Sequence, residues 1–227
     1  DFDYCTWDDD YKEITQSFRQ SLLDVAQVSV DEYTAVPIQG SGTYGVESVI
    51  SSTISDDDKL MIAINGAYGK RISEMADIYG IDHVDLVVDE REPITLEKVT
   101  EYLDKYPDIS HFAMIHCETT TGILIPVEDI IPYVNAHGIV TIVDAMSSFG
   151  GVPISVKEEK IDYLISSSNK CIQGVPGFSF VIARKQVLEA TRGLSRTLSL
   201  DLFDQYAEME RNHGKWRFTS PTHVVHA

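Results

Sequence analysis

Short runs of consecutive apolar residues alternate along this chain with longer stretches in which apolar positions recur every three or four residues. The first pattern predicts strands at residues 60–65, 83–88, 112–117, 140–144, 163–167 and 178–184. The second predicts helices at residues 9–25, 45–52, 70–79, 95–106, 126–137 and 202–212. Strands alternating with amphipathic helices are the signature of βαβ units, so the expected fold class is α/β, with a mostly parallel sheet. Each predicted strand reads as apolar throughout, as it should when helices cover both faces of the sheet. In such sheets ligands collect at the carboxyl ends of the strands.

Composition narrows the class. With 227 residues, 43% hydrophobic and 24% charged, the chain is globular and long enough for one large domain or one domain with an appendage. No apolar run approaches the ~20 residues that span a bilayer, and no basic-then-apolar leader opens the chain; the expectation is a cytoplasmic protein with no membrane partner. Asp and Glu outnumber Lys and Arg by 36 to 18, a net charge of −18 that repels polyanions and argues against nucleic acid. Cys5, Cys117 and Cys171 are widely spaced and odd in number, which suggests reduced thiols and no metal site. The chain starts at Asp1-Phe2-Asp3 without Met and stops soon after Pro221-Thr222-His223, a turn that opens a helix, so it reads as a fragment.

Chemistry concentrates where the strands end. Asn65-Gly66-Ala67-Tyr68-Gly69, Glu118-Thr119-Thr120-Thr121-Gly122, Asp144-Ala145-Met146-Ser147-Ser148 and Ser166-Ser167-Ser168-Asn169-Lys170 together describe a polar pocket with one lysine. Gln39-Gly40-Ser41-Gly42-Thr43 precedes a helix and is either a plain turn or an anion cradle built on the helix dipole. It lacks the spacing of a P-loop or a dinucleotide fingerprint. Asp144 emerges from a buried strand, either as a loop cap or as the partner of a cationic ring nitrogen. Lys170, in a turn of small and polar residues closed by Gly174-Val175-Pro176-Gly177, is a solvated cation or, in a crowded, desolvated site, an amine able to condense with an aldehyde. An anion cradle, an Asp for a ring nitrogen and a Lys for an aldehyde fit one cofactor, pyridoxal 5′-phosphate (PLP). Tyr68 is placed to stack on its ring or to pack as a core aromatic.

Three strings carry a family resemblance: Asp144-Ala145-Met146-Ser147-Ser148-Phe149-Gly150, Ser168-Asn169-Lys170-Cys171-Ile172-Gln173-Gly174-Val175-Pro176-Gly177-Phe178 and Trp216-Arg217-Phe218-Thr219-Ser220-Pro221-Thr222-His223. They resemble the class V aminotransferases of PLP fold type I, and among these the 2-aminoethylphosphonate:pyruvate transaminases. The resemblance implies that residues 31–227 form the PLP-binding large domain behind an N-terminal helical segment, residues 1–30, with a small C-terminal domain absent. It further implies catalytic roles for Lys170, the lysine linked to the cofactor, and Asp144, the partner of the ring nitrogen. Ser41, Gly42 and Thr43 resemble the phosphate loop, Tyr68 the stacking aromatic, and Thr119 or Thr120 the hydroxyl near the cofactor's phenolic oxygen. Thr219 resembles a residue that reaches the phosphate in a neighbouring subunit, which implies a homodimer with shared active sites. The implied reaction moves the amino group of 2-aminoethylphosphonate to pyruvate. The substrate-binding arginine of the family belongs to the small domain. Alternatives are another class V activity, such as alanine:glyoxylate transamination, and a non-catalytic PLP-binding half-protein. A desulfurase is disfavoured by Asn169 where a His is common, and a nicotinamide enzyme by the missing glycine fingerprint.

Overall fold

The computed structural model describes residues 4–227; the first three residues of the expected 1–30 segment lie outside the described residues. The elements are α1 (Asp9–Val25), β1 (Tyr33–Gln39), α2 (Gly42–Thr53), β2 (Lys59–Ile64), α3 (Ala67–Tyr79), β3 (Asp82–Val87), α4 (Leu96–Lys105), β4 (His111–Ile115), α5 (Val127–Ala136), β5 (Val140–Asp144), β6 (Tyr163–Ser167), β7 (Phe178–Arg184), α6 (Lys185–Ala190), α7 (Leu202–Arg211) and α8 (Thr222–His226). The seven strands form one sheet in the order β1-β7-β6-β5-β4-β2-β3. Strands β3, β2, β4, β5 and β6 run parallel, and β7 pairs antiparallel with both β6 and β1.

Alternate residues of each central strand feed two separate cores. Met61, Ala63, Phe112, Met114, Val143 and Leu164 pack with Leu22, Val99, Ile130 and Val134, so α1, α4 and α5 cover one face. Leu60, Ile62, Ile64, Ile142 and Ile165 pack with Val49, Ile50, Ile72, Leu188 and Leu202, so α2, α3, α6 and α7 cover the other. Both faces are covered, which is why these strands are mostly apolar, with Thr141, Asp144, Ser166 and Ser167 as buried polar exceptions.

The edge strand β3 departs from that expectation. Its sequence Asp-His-Val-Asp-Leu-Val is mostly half-buried or exposed, because an edge strand is covered on fewer sides. The periodicity also misses β1, whose Pro37 argues against a central strand. The sheet places β1 at the opposite edge, paired only with β7, where a residue lacking an N–H is tolerated. α1 is docked on the body: Tyr11 is fully buried with its hydroxyl 2.5 Å from Ser220 Oγ, and Trp216 Nε1 donates to Thr15 Oγ1.

Candidate active site

A cavity of about 270 Å³ opens at the carboxyl ends of β5 and β6, between the starts of α2 and α3. Helix α2 begins at Gly42, three residues earlier than the apolar periodicity indicates, because its first turn is Gly42-Thr43-Tyr44 and carries little hydrophobic signal. Ser41 is therefore the N-cap. No side chain caps this end, and its dipole points a partial positive charge at the cavity wall formed by Ser41, Gly42 and Thr43.

Asp144 is the last residue of β5 and is 4% exposed. Its Oδ1 accepts from the backbone N–H of Met146 at 2.9 Å, and among the described residues no cation lies within ion-pair distance of it. Burial pushes the carboxyl up to about 6, and the nearby Glu118 charge adds to the rise; the Met146 N–H bond, Arg71 and Lys170 pull the other way. A buried carboxylate with one hydrogen bond and no counter-charge is built to face a cationic ligand atom.

Lys170 follows β6 in a tight loop. Gln173 N–H donates to the Lys170 carbonyl at 2.9 Å with Gln173 at φ 64, Gly174 N–H reaches the Ser168 carbonyl at 2.7 Å, and Ser168 Oγ donates to the Val175 carbonyl at 2.7 Å. The lysine lines the cavity but remains solvent-exposed, contrary to the crowded, desolvated setting expected from its small neighbours. The turn carries Lys170 to the edge of the cavity, where it stays exposed.

Tyr68, in the first turn of α3, forms part of the wall. The backbone beneath it is fixed by Glu118, which is fully buried and accepts from Tyr68 N–H at 3.4 Å. Gly66, the N-cap of α3, has to be glycine for steric reasons: a Cβ there would lie 2.4 Å from Glu118 Cδ. Of the two adjacent threonines, Thr119 lines the cavity and shares a 2.6 Å hydrogen bond with Ser147 Oγ, whereas Thr120 donates its hydroxyl to Glu118 Oε1 at 3.0 Å. Thr219 is exposed and lies outside this cavity.

The structure thus brings together Ser41, Gly42, Thr43, Tyr68, Thr119, Asp144 and Lys170. Two residues escaped the sequence reading. Arg71 lines the same cavity, its Nη1 donating to Thr43 Oγ1 at 3.2 Å and its guanidinium 4.7 Å from the Tyr68 ring centre; its spacing of one helical turn from Tyr68 was the available signal. Glu118 stood in the polar string before Thr119; it pairs locally with Thr120, but its burial and its contact with Tyr68 N–H come from tertiary packing. Among the described residues no group of three or more His, Cys, Asp or Glu could hold a metal ion, and no helix is long and apolar enough to cross a membrane. Cys5, Cys117 and Cys171 are free thiols.

Residues 8–225 match the family described as aminotransferase class-V. The chain is 55% identical to a 2-aminoethylphosphonate–pyruvate transaminase of Lactiplantibacillus plantarum, over 99% of its own length and 62% of that protein's. It is 52% identical to one of Bacillus cereus, over 100% of its own length and again 62% of the relative's, so it spans less than two thirds of these curated relatives. Among solved structures, an alanine–glyoxylate aminotransferase from Nostoc sp. superposes with a TM-score of 0.87 at 24% identity, covering 99% of this chain and 59% of that one. A pyridoxamine–pyruvate aminotransferase from Mesorhizobium loti gives 0.86 at 24% identity, covering 98% and 56%. The superpositions establish a fold type I large domain, and the family match over nearly the whole chain establishes the rest: this chain belongs to the class V aminotransferases.

Proposed function

We propose that this chain is the cofactor-binding part of a transaminase that moves the amino group of 2-aminoethylphosphonate to pyruvate, giving phosphonoacetaldehyde and alanine. The observation that carries the reading is the meeting, around one cavity, of Lys170, the unpaired buried Asp144 and the uncapped start of α2. Class V aminotransferases work with PLP, which supplies an electron sink for the carbanion formed when an amine loses a proton. The donor set present fits that group. Ser41, Gly42 and Thr43 would hold its phosphate through backbone N–H groups, hydroxyls and the α2 dipole. Asp144 would keep a proton on the ring nitrogen, Tyr68 would flank the ring, and Thr119, with Thr120 as its neighbour, would hydrogen-bond near the phenolic oxygen. Lys170 would bond the aldehyde carbon and, once displaced by the substrate amine, move a proton from the carbon that bears nitrogen.

The substrate pair is supported by relatives that are named for it and are 52–55% identical to this chain. A similarly folded phosphoserine aminotransferase from Trichomonas vaginalis is described as PLP bound. We further propose a division into an N-terminal helical segment, residues 1–30, and a PLP-binding domain, residues 31–227; a homodimer in which Thr219 reaches the neighbouring subunit's phosphate site; and a cytoplasmic location.

The test is a borohydride trap. PLP added to the protein should give an absorption band near the visible edge, and reduction followed by peptide mapping should find the label on Lys170; label on any other lysine removes this assignment. Asp144→Ala should then cost the holoenzyme on the order of a hundredfold or more in phosphonoacetaldehyde release, with the fold retained. A near-normal rate would contradict the role given to Asp144.

A further inference from the structure

We infer that Arg71 binds a tetrahedral dianion in the cavity, either the phosphate of the cofactor or the phosphonate of the substrate; this rests on the function proposed above. Arg71 stands one turn after Tyr68 on α3, so the two side chains share a face, and both line the cavity. The groups it touches are neutral, although Asp144 in the same cavity is near enough to feel its charge. One N–H is engaged by Thr43 Oγ1 at 3.2 Å, and the guanidinium lies against the Tyr68 ring.

Among the described residues no carboxylate lies within ion-pair distance of Arg71, whereas Arg19, Arg184, Arg196, Arg211 and Arg217 each pair with one; Arg91 and Arg192 also have no ion pair, but neither lines the cavity. In a chain with twice as many acidic as basic side chains, a guanidinium that faces a cavity with no carboxylate in ion-pair contact is a site for an anion. The remaining N–H groups of the planar fork match pairs of phosphoryl oxygens. The hydroxyl of Thr43 holds that fork beside the positive end of α2, so two sources of positive potential converge on one side of the cavity. The buried Asp144 lines the same cavity, with the buried Glu118 near enough to raise its pKa. A cavity with both cationic and acidic groups suits a ligand with an anionic end and a cationic centre.

Wild-type protein, Arg71→Met and Arg71→Lys decide the matter in three titrations. The apoprotein is titrated with inorganic phosphate, and separately with PLP against pyridoxal. The holoprotein is titrated with ethylphosphonate against propionate, neither of which can react. Arg71→Met should weaken inorganic phosphate about tenfold or more, and Arg71→Lys should recover part of the loss. A matching loss for PLP but not pyridoxal identifies the cofactor phosphate as the ligand; a loss for ethylphosphonate exceeding that for propionate identifies the substrate. Affinities for phosphate, PLP and ethylphosphonate all within about twofold of wild type, in a variant with unchanged circular dichroism, overturn the inference. So does a loss that falls equally on PLP and pyridoxal and on ethylphosphonate and propionate, since that pattern reports a structural role. If the wild-type chain takes up no PLP, the proposed function fails, and the inorganic phosphate titration still decides the role of Arg71.

Discussion

At Asp144 a single carboxyl sets a pH dependence for the whole chain. Its pKa of about 6 lies above the ordinary value of 3.8, so the folded chain favours the protonated form. Well below pH 4 the group is neutral whether folded or unfolded and costs nothing; between about 4 and 6 the unfolded chain ionises while the folded carboxyl stays largely protonated, so the cost grows with pH; above that it is constant, at about 3 kcal/mol. Asp144→Asn keeps an oxygen for the Met146 N–H and removes the charge. In thermal unfolding without cofactor, this variant should match wild type well below pH 4 and exceed it by up to that amount at neutral pH, even as it loses activity. An advantage that is constant across the pH range would show that charge burial is not its cause. The threonine pair makes a related point: nothing in the string Glu118-Thr119-Thr120 ranks the two hydroxyls, and the buried Glu118 separates them by engaging Thr120.

Helix α1 shows how an element is fixed by one side chain. Arg19 is 6% exposed; its Nε donates to the Ala35 carbonyl of β1 at 2.7 Å, and its Nη2 reaches Thr34 Oγ1 at 2.9 Å and Glu210 Oε1 of α7 at 2.7 Å. One guanidinium thereby joins α1, the sheet edge and α7. Arg19→Ala should cost about 2–4 kcal/mol in chemical denaturation, since it leaves a buried carbonyl and hydroxyl unpaired. Arg19→Lys should restore little of this, because an ammonium cannot serve three directions from one planar fork. A loss under about 0.5 kcal/mol, the range of an ordinary surface substitution, would show that apolar packing and the Tyr11–Ser220 and Trp216–Thr15 contacts dock the helix without Arg19. The amphipathic pattern finds α1 with its observed bounds, Asp9–Val25, yet gives no hint that an arginine on it is buried.

For the whole molecule, charge and exposed apolar surface act against each other. Tyr44 and Phe218 line a second cavity beside the start of α2 and are 50% and 45% exposed, with Thr219 next to Phe218 and Leu198 73% exposed. A homodimer covering this region would bring together two chains of net charge −18. Screening should therefore strengthen association: sedimentation at micromolar protein is expected to show a dimer that tightens as salt rises from about 10 mM to about 150 mM, where the screening length falls from roughly 30 Å to 8 Å. A monomer at both salt concentrations with PLP tightly bound would count against shared sites.

What the sequence determined by itself is whatever depends on near neighbours. The bounds read from the apolar runs of β5, β6 and β7 coincide with the strands, because burial on both faces demands mostly apolar side chains there. The segments at the strand ends that carry Lys170, Asp144, Tyr68 and Ser41–Thr43 were legible for the same reason, as polar strings where such runs stop. Tertiary structure decided whatever depends on partners distant in the chain. The antiparallel placement of β7 makes Pro37 acceptable at an edge, the open rim of the cavity leaves Lys170 in solvent, and the meeting of α2 with α3 sets Arg71 against Thr43. A side chain's burial and charge environment are properties of the elements packed around it, and a linear pattern of polarity records only which residues need partners, not which partners they find.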